Sequence, residues 1–195
     1  SRWPSRWPSV PNPVASTNRK AFSNIPNPPA LVLKTNGANF SILPTILKKL
    51  NCDVVEVFCN NSGVFDRNPE PIAENLNILS KKVIEEKADI GFACDPDGDR
   101  LSIVDNKGNA IGEENTLVLC ADSFYEETNS NSPLITNLSS SMCLDFIASK
   151  HNREIFRSAI GEANVIELMK QKQSDFGGEG NGGVILKDIH LGRDS

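Results

Sequence analysis

The sequence predicts an α/β protein: two consecutive mixed, mainly parallel α/β units, the second of them truncated, following a disordered leader. Three observations carry this. From Ala30 onward, short apolar runs rich in β-branched residues alternate with longer stretches of helical period. That alternation runs through twice, on either side of a break near Ile111-Gly112. The first 29 residues show neither period. The expected organisation is therefore a leader over 1–29, a first unit over 30–111 and a second over 112–195.

The leader opens on a near-repeat of Ser-Arg-Trp-Pro that holds both tryptophans, and prolines recur at 11, 13, 26, 28 and 29. Proline at this density removes backbone donors and fixes φ, so neither a helix interior nor a central strand can form. In the first unit, 30–33 reads as a buried strand, 41–50 as a helix and 53–59 as a strand. A longer helix follows over 70–87, with Ile72, Leu76, Leu79, Val83 and Ile84 on one face, and then strands at 88–94 and 101–104. In the second unit, helices are expected at 113–127, 141–150 and 162–172, and strands at 134–136, 154–156 and 183–186. The sequence stops at Arg193-Asp-Ser195, where a further helix is expected to begin.

Composition excludes several classes. Hydrophobic residues are 38% of the chain, below the about 45–50% (glycine included) of an average domain, which fits a core that does not run the whole length. A net charge of −5 lacks the basic footprint of a nucleic-acid binder. No apolar run approaches the about 20 residues of a membrane span, and the opening does not read as a signal peptide. The five cysteines form no Cys-x-x-Cys pair, so they read as small buried thiols in a reducing, cytoplasmic setting. The Asn-x-Ser triplets at Asn39, Asn60 and Asn137 read as chance in so asparagine-rich a chain.

The most informative run is Ala88-Asp-Ile-Gly-Phe-Ala-Cys-Asp-Pro-Asp-Gly-Asp-Arg100. An apolar strand ends in Asp95, Asp97 and Asp99, and alternate residues of extended chain point the same way. Two carboxylates about 4 Å apart repel by about 4 kcal/mol at an effective dielectric near 20, so three together call for a counter-charge. A hard cation with oxygen ligands such as Mg²⁺ supplies it, at the strand end where open α/β sheets place ligands. A calcium loop of the EF-hand type fails, because the positions that need glycine and glutamate hold Arg100 and Asn106. A phosphatase of the haloacid-dehalogenase type, with Asp95 as nucleophile, matches until Asp99 stands where threonine is required. A plain solvated acidic turn is the remaining alternative.

The second run is Asp175-Phe-Gly-Gly-Glu-Gly-Asn-Gly-Gly183. Gly178, Gly180 and Gly183 spell the dinucleotide fingerprint, but that motif must open a helix and an apolar strand pattern follows instead. It reads as a flexible loop presenting Glu179 and Asn181, a pair whose acceptors and amide donor suit sugar hydroxyls. A ligand-free glycine-rich β-turn is the alternative. His151 reads as a surface residue at a helix end. The stretch from Arg157 to Glu162 reads as an anion site or, equally, a loop leading into a helix.

Together the two runs resemble the α-D-phosphohexomutases, the family of phosphoglucomutase, phosphomannomutase and phosphoglucosamine mutase. Asp95-Pro-Asp-Gly-Asp-Arg100 is similar to their metal-binding loop, and Gly177-Gly-Glu-Gly-Asn-Gly-Gly183 to their sugar-recognition loop. Asn68-Pro-Glu-Pro71, Thr136-Asn-Leu-Ser139, Ile160-Gly-Glu162 and His190-Leu-Gly-Arg-Asp194 add matches in order. The resemblance implies the second and most of the third of four domains. It implies Mg²⁺ on Asp95, Asp97 and Asp99, Arg100 positioning a phosphoserine, and Glu179, Asn181 and Gly182 holding a hexose phosphate. The implied reaction moves phosphate between that serine and the sugar. No Ser-His-Asn-Pro loop occurs in the sequence, so a separate chain is the expected source of the phosphoserine. The 195 residues alone are expected to bind Mg²⁺ weakly and to turn over little. A non-catalytic module that binds sugar phosphates or a partner is the alternative.

Overall fold

Apolar runs become strands, and the stretches of helical period cover them. A computed structural model describes residues 30–34, 36–59, 62 and 68–194; the expected leader and Asn60 lie outside these. In the first unit, β1 (Ala30–Lys34), β2 (Asp53–Val57), β3 (Ile90–Cys94) and β4 (Leu101–Asp105) form one sheet in the order β2-β1-β3-β4. β1 pairs in parallel with β2 and β3, while β4 runs antiparallel to β3 with Cys94 opposite Leu101. Helices α1 (Ile42–Lys49) and α2 (Asn77–Glu85) complete the unit. Its core joins Leu76, Leu79 and Val83 to Ala88, Ala93 and Val104, all buried.

The second unit repeats this plan. Helix α3 (Glu114–Thr128) leads into β5 (Leu134–Asn137), α4 (Cys143–Lys150), β6 (Ile155–Ser158), α5 (Glu162–Lys172), β7 (Phe176–Glu179) and β8 (Gly183–Leu186). The sheet order is β6-β5-β7-β8, with β5 parallel to β6 and β7, and β8 antiparallel to β7. Leu117, Ala121, Tyr125 and Leu144 fill one core with Leu134 and Phe176; Val165 and Met169 fill another with Ile135 and Ile185.

Several expectations are corrected. Residues 70–87 are not one helix. Pro71 disfavours the helical region for Glu70, Ile72 is extended at ψ 157°, and a 3₁₀ turn at Ala73–Asn75 precedes α2. Ile84 is 56% exposed rather than on the buried face. The glycine-rich run is not a flexible loop: its first half is β7, buried along its length beside β5 in the middle of the sheet. Of the cysteines only Cys94 is buried, and Cys143 is exposed at the start of α4. His151 is not a free surface residue. It is part-buried, with Nε2 2.7 Å from Asp122 Oδ1 and its ring centroid 5.8 Å from that of Tyr125.

Candidate functional site

The loop between β3 and β4 owes its shape to Asp95. This side chain is 1% exposed, and it spends its oxygens on the loop itself. Oδ1 accepts from the backbone N–H groups of Gly98 and Arg100, both at 3.1 Å, and Oδ2 accepts from Arg100 Nε at 2.6 Å. From outside, the Ala38 N–H donates to the Pro96 carbonyl at 2.8 Å, which ties the loop to the segment after β1. Arg100 is gripped on its other edge by Glu70, with Nη1–Oε2 at 2.8 Å and Nη2–Oε1 at 3.1 Å. A forked, bidentate pair of this kind fixes the guanidinium plane.

Asp95, Asp97 and Asp99 come together, each offering a carboxylate oxygen within 4.8 Å of the others, but on a turned loop with Gly98 at φ +80° rather than on extended chain. In the octahedral shell of Mg²⁺, with bonds of about 2.0–2.1 Å, at least two of the three oxygen pairs must lie about 2.9 Å apart, so the carboxylates draw together to share a cation. All three are hard oxygen donors, which fits Mg²⁺ or Ca²⁺ and not a thiophilic metal. The electrostatics are uneven. Burial pushes Asp95 upward, but the hydrogen bonds from the Arg100 side chain and backbone outweigh it and hold Asp95 below the usual carboxylate range. Asp99 is pushed up to about 6 by burial and by its hydrogen bond with Asp95, with Arg193 acting in opposition.

Glu179 is the last residue of β7 and is 4% exposed. Its Oε1 accepts from Asn137 Nδ2 at 2.7 Å and from the Gly161 N–H at 3.0 Å, and its Oε2 accepts from Arg193 Nη1 at 3.1 Å. Three donors therefore reach it from the end of β5, the start of α5 and the segment after β8. Asn137 is itself oriented, its Oδ1 accepting from the Ser139 N–H at 3.0 Å and from Ser140 Oγ at 2.9 Å. Beyond Glu179 the chain turns through 180–182 into β8. Asn181 Oδ1 accepts from the Gly183 N–H at 3.3 Å. Gly182 closes the turn at φ +93°, and its carbonyl accepts from the Leu101 N–H at 3.1 Å. That bond sets the turn beside the acidic loop. The sequence places Asp95, Asp97, Asp99, Arg100, Glu179, Asn181 and Gly182 in two separate runs, and the fold brings those runs side by side.

Four residues escaped the sequence reading as contributors: Glu70, Asn137, Glu162 and Arg193. All four lie in the short motifs that accompany the main runs, which was the signal available. The Arg157 region is not an open anion site. Its guanidinium donates to the carbonyls of Asn137, Ser140 and Ser141 and pairs with Asp145 at 2.6 Å, so it braces the turn after β5.

Comparison with known proteins gives the family. The sequence profiles of phosphoglucomutase/phosphomannomutase alpha/beta/alpha domains II and III match residues 16–108 and 113–195. The chain belongs to the α-D-phosphohexomutase family. It is 39% identical over 168 residues to a phosphoglucomutase/phosphomannomutase of Thermococcus kodakarensis, covering 85% of this chain and 37% of that protein. It is 35% identical over 160 residues to a phosphoglucosamine mutase of Nautilia profundicola, covering 81% and 36%. A solved phosphoglucomutase/phosphomannomutase family protein from Burkholderia thailandensis superposes with a TM-score of 0.78 at 29% identity, over 87% of this chain and 38% of that one. This phosphohexomutase chain thus spans little more than a third of the length of such relatives, all of them named as mutases. Among its described residues no helix is long and apolar enough to cross a membrane.

Proposed function

We propose that these residues form the metal-binding and sugar-recognition parts of a phosphohexomutase. The reaction is a Mg²⁺-dependent transfer of phosphate between a phosphoserine and the hydroxyls of a hexose phosphate. The observation that carries the reading is the apposition of the 95–100 loop to Glu179. A cluster suited to a hard cation sits beside a carboxylate suited to sugar hydroxyls, both at carboxyl ends of strands, where open α/β sheets bind ligands.

Phosphoryl transfer asks the protein for positioning and charge neutralisation rather than covalent chemistry. Mg²⁺ held by Asp95, Asp97 and Asp99 would neutralise charge on the transferring group. Arg100 is locked on two sides by Asp95 and Glu70. Those bonds occupy three of its five N–H groups and leave two for a phosphoserine oxygen. Glu179 keeps a lone-pair direction beyond its three donors and can accept from a sugar hydroxyl, while Asn181 Nδ2 can donate to one. The phosphoserine comes from protein outside these 195 residues, and the setting is the cytoplasm.

Calorimetric titration of the chain with Mg²⁺ tests the site. Binding is expected, and Asp97→Asn combined with Asp99→Asn should weaken it at least tenfold; equal binding by the variant removes the metal site. Adding a separate chain that carries a phosphoserine loop should then restore isomerisation of glucose 1-phosphate. Mg²⁺ binding without any restored turnover would point to a non-catalytic binding module instead.

A further inference from the structure

Arg193 is the side chain that joins the two halves of the site. Its side chain is 18% exposed, and its guanidinium meets carboxylates from three elements. Nη2 pairs with Asp99 Oδ2 of the acidic loop, Nη1 with Glu179 Oε2 at 3.1 Å, and Nε faces Glu162 Oε2 at 3.4 Å. The backbone beneath it is pinned as well. The Arg193 N–H donates to Glu162 Oε1 at 2.8 Å, and the next residue bridges to β8 through the Asp194 N–H and the Val184 carbonyl at 2.9 Å. The stem crosses Gly183 so closely that a Cβ there would lie 2.4 Å from Arg193 Cδ. A planar fork with a fixed stem is suited to hold several carboxylates in one arrangement, which a flexible ammonium does less well.

We propose that Arg193 is a positioning residue that competes with the divalent cation for Asp99 and, once displaced from it, stays on Glu179 and Glu162, so that cation occupancy is relayed to the sugar-recognition carboxylate. The proposal rests on the functional reading above. A fixed positive charge at ion-pair distance from one ligand of a cation opposes that cation. Reciprocity follows, since whatever loosens Arg193 from Asp99 when the cation binds must favour the cation when Arg193 is absent.

Three measurements on the 195-residue chain test this with Mg²⁺ alone. By calorimetry, Arg193→Gln should bind Mg²⁺ about three- to tenfold more tightly than the parent chain, the gain expected from removing one screened unit charge. Arg193→Lys should return affinity towards the parent value because the charge is kept. In the unsubstituted chain, Mg²⁺ should move the NMR signal of the Arg193 Nε–H while that of Arg153, bonded to the Ser130 carbonyl at 2.7 Å, stays in place. This last readout needs no variant to fold. A folded Arg193→Gln with unchanged or weaker Mg²⁺ binding overturns the proposal, as does an Arg193 signal indifferent to saturating Mg²⁺. Those outcomes leave the metal site standing. Failure of the parent chain to bind Mg²⁺ at all removes both.

Discussion

The two units place their chemistry at equivalent points, yet they hold it in different ways. In each, a strand with a parallel neighbour on one side and an antiparallel one on the other ends in a buried acid: Asp95 after β3 and Glu179 at the end of β7. Each acid accepts three hydrogen bonds from N–H groups, one of them from an arginine side chain. For Asp95 all three donors lie within the next five residues. For Glu179 the donors are Asn137, Gly161 and Arg193, which are 42, 18 and 14 residues away. One loop is shaped by its own sequence, and the other is assembled by the fold. The longer loop has room for three aspartates, whereas the short turn at 180–182 presents a single acid that its neighbours aim.

That contrast makes its largest claim about truncation of the two acids. Asp95→Ala leaves Arg100 Nε and two backbone N–H groups without their acceptor while Glu70 still pairs with Arg100, and each buried donor left unsatisfied costs about 1–3 kcal/mol. Urea unfolding followed at the first unit should show the loss, with the 95–100 loop disordered and β7–β8 intact. Glu179→Ala should instead loosen three separated segments, so hydrogen exchange should rise at 137–140, at the start of α5 and around Arg193 together. Disorder confined to 179–183 in that variant would break the contrast.

The same contrast explains what the sequence could tell. The acidic loop was legible because a strand pattern, Ile90-Gly-Phe-Ala-Cys94, runs into it and its contacts are local. β7 was not legible: Phe176-Gly-Gly-Glu179 carries one apolar side chain and two residues of low strand propensity, and it becomes a strand because β5 and β8 pair with it. The helix expected over 70–87 overruns its true start because apolar periodicity is blind to the constraint that Pro71 places on Glu70. Glu162 and Arg193 meet only when α5 and the segment after β8 come together, which no spacing rule encodes. The fold class needed only alternation of apolar runs, whereas the partners of the site acids needed tertiary structure.

A smaller effect sharpens the comparison at the point where the two loops touch. Gly182 sits at φ +93°, and a Cβ there would lie 2.5 Å from the Leu101 carbonyl oxygen. Gly182→Ala should therefore cost about 1–3 kcal/mol in urea unfolding, the range for a side chain forced into a strained backbone conformation. Because the Gly182 carbonyl also bonds the first residue of β4, the variant should weaken Mg²⁺ binding as well. Unchanged Mg²⁺ affinity would mean that the acidic loop supports itself entirely, without help from the turn.

The smallest effect separates burial from sequence range as the cause of the difference between the two acids. Asp122, on α3, is paired across 28 residues with Lys150 at 2.6 Å and across 29 with His151 at 2.7 Å, so its partners are as distant as those of Glu179, but it stands near the surface. Burial raises its affinity for a proton, yet the hydrogen bonds and charges of Lys150 and His151 win and hold its carboxyl below the ordinary value of 3.8. A folded-state pKa that is depressed means stability present above the unfolded value and lost as the pH falls through the folded one. Asp122→Asn should accordingly cost about 1 kcal/mol or less at pH 7, and the gap to the parent chain should close below pH 3.8. Thermal unfolding across that range reads the difference directly. A loss as large as that of Asp95→Ala would mean that the distance in sequence between an acid and its partners, rather than their burial, sets how much each acid holds the fold together.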